Sequence, residues 1–66
     1  MRKLTYKIVE ETDRTQSIKW IEFITDRTPQ WTEEQYLRNR VNTTMELIED
    51  EETEETEPIS REVRLG

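Results

Sequence analysis

No cysteine and no histidine occur among the 66 residues of this chain, and its one glycine is the last residue, Gly66. Each gap removes a class of chemistry. Without Cys there is neither a disulfide framework nor a thiolate nucleophile, and without Cys or His the usual ligand sets of zinc sites cannot be assembled. With no internal Gly, the backbone cannot approach phosphate as closely as a Walker loop or a dinucleotide-binding turn requires. The acidic residues lack the Gly-containing spacing of a calcium loop, so neither a metal nor a cofactor is expected. Apolar residues are also sparse, at 30% against 39% charged, and no apolar run nears the ~18 residues of a membrane span. Met1, Arg2 and Lys3 lead straight into alternating residues. No signal peptide is therefore expected, and the cytoplasm is the expected compartment. In that setting the sequon Asn42-Thr43-Thr44 is a chance match.

What is present points to one small α+β domain, close to the lower size limit for an unstapled core. Residues 3–9 and 18–25 are β-branched and aromatic with period-two alternation, the pattern of two strands. A turn centred on Asp13-Arg14 pairs them as a hairpin with Leu4 opposite Phe23, Tyr6 opposite Ile21, Lys7 opposite Trp20 and Val9 opposite Ile18. Lacking Gly and Asn, that turn should be a four-residue connection over 12–15. One face then carries Leu4, Tyr6, Ile8, Ile21 and Phe23, and the other carries Val9, Ile18, Trp20 and Ile24. The second strand is thus apolar on both faces, and a single helix can cover only one.

Thr32 with Gln35 reads as a capping box, with Trp31 stapled to Tyr36, and the stripe Leu37, Val41, Met45 and Ile48 predicts a helix from there to residue 48. Residues 1–48 accordingly read as a hairpin-plus-helix mini-domain. Residues 49–58 read as an acidic linker or a frayed helix end, because massed carboxylates oppose the macrodipole at a helix C-terminus. Beyond Pro58, residues 59–66 alternate as a C-terminal third strand would (ββαβ), with a free tail as the alternative.

Charge is segregated. Residues 1–48 hold eight basic and eight acidic side chains, while residues 49–66 hold two and eight and carry the whole net charge of −6. The acidic set is Glu49, Asp50, Glu51, Glu52, Glu54, Glu55 and Glu57, which offers a polyanionic surface to a basic protein partner or serves only to solubilise. Ile18, Trp20 and Ile24 form the apolar candidate for contact with a partner. Of the two Trp residues, Trp31 is assigned to the staple, while Trp20 is nearly balanced between core and interface. Arg2, Lys3, Lys7, Lys19, Arg27, Arg38 and Arg40 are balanced by acids, so direct nucleic-acid binding is not expected. No carboxylate pair is marked out for acid–base work and the chain is too short to enclose a pocket, so no enzymatic activity is expected.

In length and acidity the chain resembles the small acidic proteins with which bacterial viruses block host enzymes, nucleic-acid mimics and anti-CRISPR inhibitors among them. That likeness implies a viral inhibitor and gives no residue a role. The reading from the residues is a non-enzymatic protein that binds a macromolecular partner as adapter or inhibitor and self-associates through the hairpin, a dimer first. The alternatives are a nucleic-acid mimic that blocks a DNA- or RNA-binding enzyme, and a structural subunit of a larger assembly.

Overall fold

In the computed structural model, which describes residues 1–64, five elements follow in order: β1 (Arg2–Glu11), β2 (Gln16–Thr25), α1 (Pro29–Leu37), β3 (Thr43–Glu52) and β4 (Ile59–Val63). The strands form one antiparallel sheet in the order β3-β1-β2-β4, and the short helix makes the fold α+β. The hairpin has the register that a turn centred on Asp13-Arg14 predicts, with Leu4 opposite Phe23, Tyr6 opposite Ile21, Lys7 opposite Trp20 and Val9 opposite Ile18. Its turn closes without Gly. The Thr12 N–H donates to the Thr15 carbonyl at 2.8 Å, and the two threonine hydroxyls lie 2.6 Å apart.

The principal departure from the sequence reading lies in the helix, which ends at Leu37 and not at residue 48. Asn39 and Asn42 have φ of 64° and 54°. Asn is among the few side chains that enter the left-handed region at low cost. The Arg40 N–H returns to the Leu37 carbonyl at 3.0 Å, and after Asn42 the chain leaves as β3. Thr43, Thr44 and Ile48 are β-branched and suit a strand. Val41, expected in the inward stripe, is 82% exposed.

The helix also starts earlier than the capping-box reading places it. Thr28 is the N-cap, its Oγ1 accepting the Trp31 N–H at 3.1 Å, and Pro29 occupies the first turn, where its missing N–H costs nothing. Thr32 is instead buried within α1, and its hydroxyl donates to the Thr28 carbonyl at 3.0 Å. Trp31 is 42% exposed, with the Arg27 guanidinium 5.2 Å from its ring. Thr28→Ala should therefore cost about 1 kcal/mol in urea denaturation, and an unchanged midpoint would count against this cap.

The acidic block divides into two parts. Glu49, Asp50, Glu51 and Glu52 complete β3, where Leu4, Lys3 and Arg2 of β1 face Asp50, Glu51 and Glu52 in turn. Arg2 Nε binds Asp50 at 2.6 Å and Lys3 Nζ binds Glu51 at 2.7 Å. Basic residues on the neighbouring strand thus let an acidic run lie in a sheet. Residues 53–58 then pass from the β3 edge to the β4 edge, and the Thr53 N–H donates to the Met1 carbonyl at 2.9 Å. The C-terminal segment forms a strand over Ile59–Val63, with Ile24 opposite Ile59 and Trp20 opposite Val63; residues 65 and 66 of the segment read as a strand lie outside the described residues. The sheet takes strands from both sides of the charge boundary at residue 48.

The helix covers one face of the sheet. Leu4, Tyr6 and Ile8 are fully buried there, with Ile21, Phe23, Tyr36 and Met45 packed against them. Phe23 meets Tyr6 and Tyr36 edge-on, each at 5.9 Å between ring centroids. The Tyr6 hydroxyl donates to Glu33 Oε2 at 3.0 Å and lies 3.2 Å from the Pro29 carbonyl, pinning α1 to β1. No helix among the described residues is long and apolar enough to cross a membrane.

Candidate interaction surface

The face opposite α1 is built by the odd-numbered residues of β1 and their partners. Reading across β3, β1, β2 and β4, one row is Glu46, Lys7, Trp20 and Val63, the next Glu49, Thr5, Glu22 and Arg61, and the next Glu51, Lys3, Ile24 and Ile59. Beyond the first of these, Val9 stands between Thr44 and Ile18. Val9, Ile18, Trp20 and Val63 are therefore contiguous, since opposite strand neighbours and residues two apart share a face.

No helix or strand lies over this face among the described residues, and the Cα extents of the fold are 41 × 27 × 16 Å. The thin dimension matches a single sheet with a helix on one side. Of the three apolar residues singled out by sequence, Ile18 is 47% exposed, Trp20 is half-buried and Ile24 is 1% exposed. Ile24 is part of the packed interior, flanked by Lys3 and Ile59, and is not accessible to a partner. Val9 and Val63 take its place beside Ile18 and Trp20. The period-two pattern of the C-terminal segment marks Val63 as apolar, but only the pairing of β4 with β2 puts it next to Trp20.

A polar row separates that patch from Ile24 and Ile59. Arg61 Nε donates to Glu22 at 3.0 Å, and Arg61 reaches Glu55 of the 53–58 connection at 3.4 Å. The hydrogen bond to Glu22, followed by its charge, holds the Arg61 guanidinium above its ordinary pKa. Arg2 and Lys3 are likewise raised, first by their hydrogen bonds to Asp50 and Glu51.

The seven acidic candidates are not brought to one point. Asp50, Glu51 and Glu55 are in ion pairs with Arg2, Lys3 and Arg61, while Glu49, Glu52, Glu54 and Glu57 have no such partner among the described residues. Glu49 lies on the open face, and Glu52 on the face that carries α1. No group of three or more carboxylates is placed to hold a metal ion among the described residues. A shallow groove of about 260 Å³ lies between the start of α1 and the β2–β4 end of the sheet, lined by Phe23, Thr25, Trp31, Pro58 and Ile59 among others. Comparison with protein-family models, curated proteins and solved structures finds no match to this chain.

Proposed function

We propose that this protein is a non-enzymatic binding module that holds a macromolecular partner against the part of the sheet face opposite α1 that carries Val9, Ile18, Trp20 and Val63. The observation that carries this reading is the contiguous set Val9, Ile18, Trp20 and Val63 on the face that α1 leaves open, with Ile18 47% exposed. A large aromatic beside aliphatic side chains, with charged residues at its margin, is the usual composition of an interface anchor. The carboxylates of β3 border the face on one side, and with Glu46 and Glu49 in its outer rows they favour a protein partner that is basic at its rim. The hairpin cannot self-associate through its edges, since β3 and β4 occupy both of them.

The test is a pull-down from lysate of the source organism at low and high salt, with wild type beside Ile18→Lys and Trp20→Ala. Ile18→Lys changes an exposed position and should shift stability by no more than about 0.5 kcal/mol, yet it should abolish capture of the partner. Capture by wild type should persist at high salt. A nucleic-acid mimic would behave in the opposite way: capture would collapse with salt and with joint replacement of Glu49, Glu52, Glu54 and Glu57 by Gln, and would survive Ile18→Lys.

A further inference from the structure

The two outer edges of the sheet differ in charge. Along β3, Glu46, Glu49, Asp50, Glu51 and Glu52 would set carboxylate against carboxylate on both faces if two copies met there. The β4 edge is Ile59, Ser60, Arg61, Glu62 and Val63, with one charge of each sign. Nothing among the described residues pairs with its outer side, so alternate backbone N–H and C=O groups are presented along it.

We propose that a second copy of this chain occupies the β4 edge: two β4 strands pair antiparallel about a two-fold axis at Arg61, joining two four-stranded sheets into one of eight strands. The residue pattern is self-complementary in this register. Ile59 faces Val63 of the second copy, Ser60 faces Glu62, and Arg61 faces its own equivalent. The row Glu46, Lys7, Trp20, Val63 then continues into Ile59, Ile24, Lys3 and Glu51 of the second copy, apolar across the junction with its charges of both signs at the two ends. Ile59, 40% exposed in the single chain, gains a partner. The Ser60 hydroxyl comes opposite a carboxylate it can donate to.

The like charges at the axis are already compensated, because each Arg61 is bound by Glu22 and Glu55 of its own chain. Arg64 falls opposite Pro58 of the second copy and beside its Glu57, an attraction repeated at both ends. Pro58 has no N–H to give, which ends the ladder at the five residues of β4. The competing arrangement, β4 of one copy on β3 of the next, is head-to-tail and closes only as a ring, growing otherwise into a filament. A two-fold contact closes after two chains.

The absence of cysteine makes the test clean, since Arg61→Cys introduces the only thiol. Residues facing each other across an antiparallel pair have Cα atoms about 4.5–5.5 Å apart, inside the range of a disulfide. Under mild oxidation R61C should form a covalent dimer at least about tenfold faster than S60C or E62C alone, because only residue 61 faces itself. An equimolar mixture of S60C and E62C should cross-link to each other at the fast rate. That mixture keeps the Arg61–Glu22 pair and decides the matter where R61C disturbs the fold.

Equal, slow oxidation of all these variants, matching E34C on the exposed side of α1, would overturn the edge contact. So would loss of the R61C cross-link on adding Ile18→Lys, because the copies would then be meeting through their open faces. The edge contact shares only Val63 with the proposed partner face and leaves Ile18 outside it. Ile18→Lys should therefore abolish partner capture while leaving the cross-link intact, and a failure of either reading is visible by itself.

Discussion

Leu4→Ala should cost the fold about 2–5 kcal/mol, the largest loss expected of any single substitution, and move the urea midpoint far toward zero denaturant. Only Leu4, Tyr6, Ile8 and Ile24 are essentially fully buried among the large side chains of the described residues. Leu4 belongs to this small set and lies between Phe23 of β2 and Asp50 of β3 in the register, on the face that carries α1. Truncating a buried Leu costs about 2–5 kcal/mol, because the lost transfer energy is compounded by the cavity left behind. A 66-residue domain holds only about 3–10 kcal/mol in total at typical values per residue. The substitution therefore removes a large share of the whole. Val41→Ala should do almost nothing, within about 0.5 kcal/mol, since Val41 is 82% exposed. A reversal, with V41A damaging and L4A mild, would restore the long helical stripe and contradict the observed β3.

Tyr6→Phe should have the next largest effect, and it should change how the fold responds to alkali. The Tyr6 ring is buried in the core, and its hydroxyl bonds to the Glu33 carboxylate. Removing a hydrogen bond to a charged group costs about 1.5–3 kcal/mol. Burial foremost, then the hydrogen bond and charge of Glu33, raise the Tyr6 pKa above its ordinary value. Deprotonation is therefore easier in the unfolded chain than in the folded one. The stability that depends on the protonated phenol is complete below the unfolded pKa of about 10 and is lost as the pH rises from there toward the folded value. Lys3 and Lys19, held above their ordinary values first by hydrogen bonds to Glu51 and Glu10, lose their pairs in the same alkaline direction. The contribution of Tyr6 is isolated by difference. Urea midpoints measured between about pH 9 and 11 should fall more steeply for wild type than for Y6F, and parallel curves would rule out a buried, carboxylate-bound phenol.

The two halves of the chain were not equally legible from sequence. In the hairpin, the alternation of Leu4, Tyr6 and Ile8 against Lys3, Thr5 and Lys7 fixes which face is apolar, a turn centred on Asp13-Arg14 fixes the register, and the observed pairs are those. In residues 37–48 the apolar spacing fits a helix almost as well as a strand. Leu37, Val41, Met45 and Ile48 make a helical stripe, while Thr43, Met45 and Leu47 alternate as a strand. The decision lies in Asn39 and Asn42, whose left-handed conformations stop the helix and redirect the chain. Two asparagines flanking the supposed helix interior were the available signal. They carried less weight than an apolar period that turned out to be shared between two elements.

The acidic block illustrates the same limit. Read in isolation, adjacent carboxylates repel and argue for a solvated segment. In the folded chain Arg2 and Lys3, some 48 residues away in sequence, lie alongside Asp50 and Glu51 and supply the charge that lets the strand form. Nothing local in residues 49–52 could have shown this, because the neutralising groups arrive only through sheet pairing.

By itself the sequence determined the local choices: the hairpin and its register, a helix beginning within residues 28–32, the two faces of β2, and the exclusion of thiol, imidazole and glycine-loop chemistry. These depend on side-chain type and on spacing over a few residues, which the chain states directly. Only the tertiary structure decided that β3 and β4 flank the hairpin, that Ile24 is interior while Ile18 is exposed, and that Val63 completes a patch with Trp20. The physical reason is that strand neighbours are set by backbone hydrogen bonds between distant segments. Every backbone offers the same donors and acceptors, so the sequence marks which residues suit a strand but not which strand they will lie beside.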